Sequence, residues 1–184
     1  MVHFIGAGSG AADLVTVRGA RLLKEADVVI YAGSLVNPEL LAYASEGAEI
    51  HNSAAMTLEE VMAVIRAAET AGKTTVRLHT GDSSIYGAVR EQFDLLEACG
   101  IEYDVCPGVS SFCGAAAALK TEYTLPGISQ TVIISRAAGR TPVPERESIR
   151  SLAVHGATMI LFLSMGVIDS LQAELIEGGV APEM

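Results

Sequence analysis

Apolar residues alternate along the first two thirds of the chain between short buried runs and longer stripes at helical spacing. Val2-His3-Phe4-Ile5, Val28-Val29-Ile30-Tyr31 and Thr74-Thr75-Val76-Arg77-Leu78 read as strands from their length and β-branched content. Glu49-Ile50-His51-Asn52 and Glu102-Tyr103-Asp104-Val105-Cys106 read as two more. Between the strands, Leu14, Val17, Leu22 and Leu23 predict one helix, and Asn37-Pro38 opens another with proline at a favoured first position. Leu58, Val61, Met62, Ile65 and Ala68 predict a third, with Thr57 and Glu60 set as a capping box and Gly72 as its stop. Val89, Phe93 and Leu96 predict a fourth, closed by Cys99-Gly100. Five strands alternating with helices give an α/β fold: a five-stranded, mainly parallel sheet in three layers.

This first domain is expected over 1–112. Residues 113–130, with Pro126-Gly127, read as a linker region. Over 131–184 the pattern predicts strands at Thr131–Ser135 and Thr158–Leu163, with helices through Ile149 and Leu152 and through Ile168, Leu171 and Leu175. Two strands and two helices are fewer than an independent fold normally uses. The second α/β domain is therefore expected to be smaller and truncated, leaning on the first domain or on a partner.

The junction Thr80-Gly81-Asp82-Ser83-Ser84-Ile85-Tyr86-Gly87 follows an apolar strand, and ligands of open parallel sheets collect at that end. Two readings stand: a binding loop, or a helix start whose free N–H groups are capped by Asp82 and Ser83. The turn Gly6-Ala7-Gly8-Ser9-Gly10-Ala11 formally fits the dinucleotide fingerprint G-x-G-x-x-A. That fingerprint also wants an acidic residue closing the second strand, which here ends in Ala32-Gly33-Ser34, with Asp27 ahead of it. An NAD-dependent oxidoreductase is thus disfavoured. Glycines also serve simply to turn the backbone and let a helix pack closely.

Half of the 184 residues are hydrophobic, and 12 basic against 22 acidic residues give a formal charge of −10. A nucleic-acid partner is disfavoured. The longest apolar run, Met159–Leu163, is too short to cross a bilayer, and a cytoplasmic protein is expected. Cys99, Cys106 and Cys113 form no CxxC pair, and the four histidines have no metal-ligand spacing, so no metal is expected.

Taken in order, Ile5–Gly10 with Leu14–Gly19, then Gly81–Gly87, Pro107-Gly108-Val109-Ser110-Ser111 and Met165-Gly166-Val167 resemble the S-adenosylmethionine-dependent tetrapyrrole methyltransferases. Tyr31–Val36, Ser129–Ile133 and Arg136–Pro142 narrow the resemblance to the branch that methylates C11 of a corrin precursor. Ser9 and Ser83 stand where the family usually has proline, and family members run on through a further strand-rich portion. The resemblance implies a homodimer, with S-adenosylmethionine held in a cleft between two domains. It implies cofactor contacts from Thr80, Gly81, Asp82, Ile85, Tyr86, Ser110, Ser111 and Met165.

Methyl transfer from a sulfonium needs alignment more than a dedicated nucleophile, and none of the motifs supplies one. No catalytic base is named by the sequence. The tetrapyrrole carries many carboxylates, which suit guanidinium forks. Arg136 and Arg140 are the substrate-side candidates, with Arg18 and Lys120 behind them. Met165 reads equally as a core residue. A non-catalytic binding or dimerisation fragment is the alternative from another class.

Overall fold

A computed structural model describes residues 1–33 and 35–183; Ser34, part of the Tyr31–Val36 motif, lies outside the described residues. The chain divides into two compact units, Met1–Ala117 and Ala118–Met184.

In the first unit, β1 (Val2–Gly6), β2 (Val28–Tyr31), β3 (Glu49–Asn52), β4 (Thr75–His79) and β5 (Tyr103–Cys106) form one sheet in the order β3-β2-β4-β1-β5. Every pairing is parallel. The order reverses between β4 and β1, which makes the carboxyl ends of those two strands the place where a crevice opens.

Because successive strand residues face opposite ways, each strand feeds two cores. On one face Ile5, Val29, Val76, Leu78 and Cys106 pack with Leu22 and Leu23 of α1 (Val17–Glu25) and with Leu40. On the other, Val2, Phe4, Val28 and Ile30 pack with Val61, Met62 and Ile65 of α2 (Leu58–Thr70) and Leu96 of α3 (Arg90–Ala98). The three expected layers are present.

Local chemistry sets the helix ends. Thr57 accepts from the Glu60 amide while the Glu60 carboxylate accepts from the Thr57 amide, so both halves of the capping box form. Gly72 closes α2 at φ 68°, a left-handed conformation that suits glycine. Two expectations are corrected. The helix after the glycine turn starts late, at Val17 with Thr16 as its cap, so Leu14 and Val17 are exposed rather than core. The helix opened by Asn37-Pro38 is a 3₁₀ segment, Pro38–Tyr43.

Helix α4 (Ser111–Leu119) follows β5. In the second unit, β6 (Val132–Arg136) and β7 (Thr158–Phe162) pair in parallel, backed by α5 (Ile149–Ala153) and α6 (Ile168–Glu177). Its core is small: Ala137, Ile149 and Leu171, with Met159, Leu161 and Leu175 against them. Among the described residues no helix is long and apolar enough to cross a membrane.

Thr57→Ala removes the acceptor at the start of α2 and is expected to cost about 1 kcal/mol of stability, read as a lower urea midpoint at unchanged slope.

Candidate functional site

At the carboxyl ends of β1, β4 and β5 the three following loops are pressed together backbone to backbone. A Cβ on Gly108 would lie 2.1 Å from the Gly81 carbonyl oxygen, and one on Gly6 would lie 2.5 Å from that same oxygen. Only glycine fits either position. Gly8 and Gly81 exchange amide hydrogen bonds of 3.1 and 3.2 Å, and the Ala7 amide donates to the His79 carbonyl at 2.7 Å. The glycine turn is therefore a packing device that locks the loop after β1 to the loop after β4, at the sheet's switch point.

Asp82 adds a side-chain strap. Its carboxylate accepts from the Ser84 amide at 2.9 Å and the Ser84 hydroxyl, and from the Gly108 amide at 2.7 Å. The helix-capping reading is overturned, since α3 starts only at Arg90 with Val89 as its uncapped first neighbour. Partial burial works to raise the Asp82 pKa, but these three hydrogen bonds together hold it below the ordinary carboxylate value. The strap is an anion at neutral pH.

Beside it lies an open trough of ≈560 Å³, lined by Asp82, Ser84 and Ile85 from one loop and by Val105, Pro107–Ser110, Phe112 and Cys113 from the other. Of the expected cofactor residues, Asp82, Ile85 and Ser110 line this trough directly. Thr80, Gly81 and Tyr86 belong to the same loop, and Ser111 opens α4. The size suits a small organic molecule, and the lining offers apolar surface with one carboxylate, a setting fit for a ligand with a positive charge.

Behind the loop sits a polar row the sequence reading passed over. Thr75, Arg77 and His79 are all buried on the α2/α3 face of β4. His79 stacks on Phe4, and its Nε2 has no hydrogen-bond partner among the described residues. Burial first, and the charge of Arg77 second, push the imidazole pKa down to about 3, so it is neutral. The available signal was a lone arginine and histidine alternating with Val76 and Leu78.

The remaining candidates lie in the second unit. The Arg136 guanidinium donates to the carbonyls of Thr141 at 3.0 Å and Pro142 at 3.2 Å, so it is occupied in folding its own loop. Arg140 makes no hydrogen bond or ion pair among the described residues. Both line a ≈210 Å³ pocket with Thr141, Leu163 and Val167. Met165 is 79% exposed, which overturns the core reading. Ser164, which the sequence reading did not single out, accepts from the Ala137 amide at 3.0 Å and donates to the Phe162 carbonyl at 2.7 Å, tying the ends of β6 and β7. Arg18 and Lys120 are exposed on the surface.

A family model described as Tetrapyrrole (Corrin/Porphyrin) Methylases matches residues 1–184. The cobalt-precorrin-4 C(11)-methyltransferase of Methanocaldococcus jannaschii is 54% identical over 182 residues, 99% of this chain and 70% of that protein. A solved cobalt precorrin-4 methyltransferase matches with a TM-score of 0.94 and 46% identity, over 98% of this chain and 75% of that one. A uroporphyrin-III C-methyl transferase from Thermus thermophilus, complexed with S-adenosyl homocysteine, matches with a TM-score of 0.77 and 27% identity, over 98% of this chain and 73% of that one.

Two measurements check this geometry. Gly108→Ala should destabilise far more than Thr57→Ala, because no backbone shift at Gly108 frees Gly81 without also moving Gly6. Protonating His79 is unfavourable in the folded chain, so the stability it supports is present above pH 6.5 and is lost as pH falls toward 3. Unfolding free energies of His79→Phe should lack that decline.

Proposed function

Since the chain belongs to the tetrapyrrole (corrin/porphyrin) methylase family, we propose that it transfers the methyl group of S-adenosylmethionine to C11 of precorrin-4, with or without cobalt, in cobalamin biosynthesis. The observation that carries the reading is the trough at the switch point, where the loop holding Thr80–Tyr86 and the loop holding Ser110 and Ser111 are locked side by side. When bound, the donor supplies an activated methyl on a positively charged sulfur.

The chain's own part is placement. Thr80, Gly81, Asp82, Ile85, Tyr86, Ser110 and Ser111 would hold the donor in the first unit. Asp82 offers negative charge to a cationic ligand, and one lone-pair site is left after its three hydrogen bonds. Ile85, Val109 and Phe112 would present apolar surface to the bound donor. A bound donor would supply the methyl to a ring carbon of the macrocycle, and the trough residues would set the approach of the two. No group with a base's geometry is needed at the moment of displacement, and alignment supplies much of the rate.

Arg140 is the substrate-side cation in this reading, while Arg136 shapes the loop that presents it. Their local charge draws a polycarboxylate against a chain of formal charge −10. The same reading makes the protein a cytoplasmic homodimer with no nucleic-acid partner.

Incubation with corrin precursor and donor carrying a labelled methyl should give a macrocycle heavier by one labelled methyl in mass spectrometry; absence of label from C11 would refute the assignment. Arg140→Ala should raise the tetrapyrrole KM about fivefold at nearly constant kcat, the signature of lost uniform binding. Arg136→Ala should instead lower the melting temperature.

A further inference from the structure

The end of the trough loop is held in a conformation that its residues do not favour on their own. Tyr86 has φ 53° and Ala88 φ 49°, both left-handed without being glycine. Between them, a Cβ on Gly87 would lie 2.2 Å from the Ser83 carbonyl oxygen. Such a segment persists where its surroundings over-determine it.

The grip comes from inside the sheet. Arg77 is 7% exposed and has no carboxylate partner among the described residues. Its guanidinium donates to the Ile30 carbonyl at 3.2 Å and to Gln92 Oε1 at 3.1 Å. Gln92, itself buried, donates through Nε2 to the Ala88 carbonyl at 3.2 Å. Burial lowers the Arg77 pKa to about 10, which leaves it charged at neutral pH. A buried cation therefore polarises an amide that holds the carbonyl of a strained residue. The central position needs a side chain that accepts at one end and donates at the other. Glutamine does both, whereas glutamate only accepts and leucine does neither.

We propose that Arg77 and Gln92 are positioning residues: a buried relay that sets the Tyr86–Ala88 end of the loop, and through it the affinity for the methyl donor. The link to the donor rests on the cofactor reading given above; the link to the loop does not.

Gln92→Glu separates the two. It keeps the acceptor for Arg77 and turns that contact into an ion pair, but it removes the donor to Ala88 and sets a carboxylate oxygen against that carbonyl. The melting temperature should be no lower than that of the wild type. Chymotryptic cleavage after Tyr86 should speed up, and S-adenosylhomocysteine affinity by calorimetry should fall, each about five- to tenfold. A purely structural role would move melting temperature and affinity together, and that result overturns the proposal. Unchanged cleavage after Tyr86 overturns the relay. Faster cleavage with unchanged affinity overturns its link to the donor. No binding of S-adenosylhomocysteine by the wild type at millimolar concentration overturns the loop assignment itself, whereas the cleavage result still reports on the relay. Gln92→Leu, which leaves the guanidinium with the Ile30 carbonyl alone and also removes the donor to Ala88, should lose both stability and affinity.

Discussion

One carbonyl oxygen organises the first unit. The oxygen of Gly81 lies so close to Gly6 and Gly108 that neither can carry a side chain, and these residues follow or end three different strands. Close backbone packing of this kind cannot be adjusted by choosing another rotamer, because there is no rotamer to choose. The loops after β1, β4 and β5 consequently move together or not at all. Asp82 then adds direction, since its carboxylate binds the amides of its own turn and of the neighbouring loop at once. A trough walled by two loops keeps its shape when the loops cannot slide past each other, and methyl transfer by alignment depends on that constancy.

The two faces of β4 divide the work. Val76 and Leu78 enter the core shared with α1, as any strand of a doubly covered sheet would. Thr75, Arg77 and His79 are also buried on the opposite face, where polar groups are costly unless satisfied. Nothing about building a sheet demands them. Arg77 is satisfied by neutral acceptors alone, the Ile30 carbonyl and Gln92, and Gln92 reaches the strained Ala88. His79 stays neutral in the same setting because both burial and the neighbouring guanidinium oppose its protonation. The charge on that face is thus concentrated on one group, whose hydrogen bonds lead to the loop that walls the trough.

Much of this was legible in the residues. Short apolar runs and helical spacing located all five strands of the first sheet and the helices α2 and α3, and Thr57 with Glu60 announced the capping box. Leu14 and Val17 misled because leucine and valine at helical spacing look alike whether the helix has begun or not; Thr16, one residue before the true start, was the better guide. Asp82 was ambiguous for a sound reason: a carboxylate next to a strand end is placed to cap a helix or to cross to another loop. The late start of α3 at Arg90 and the position of Gly108, 26 residues away, decide between them. The Arg77–Gln92 contact spans 15 residues and two elements, which no local pattern encodes.

The second unit shows the same separation between holding and presenting. Arg136 and Arg140 are four residues apart and chemically identical, so spacing alone could not assign them different tasks. Arg136 is spent on the carbonyls of Thr141 and Pro142, which closes the loop around it, and Ser164 ties that loop's origin to the end of β7. Arg140, carried on the loop so formed, has no such engagement among the described residues. A flexible loop with two loose guanidinium groups would lose side-chain and backbone freedom on binding a carboxylate. One arginine committed in advance to the loop would leave less to be ordered were the other to meet a carboxylate.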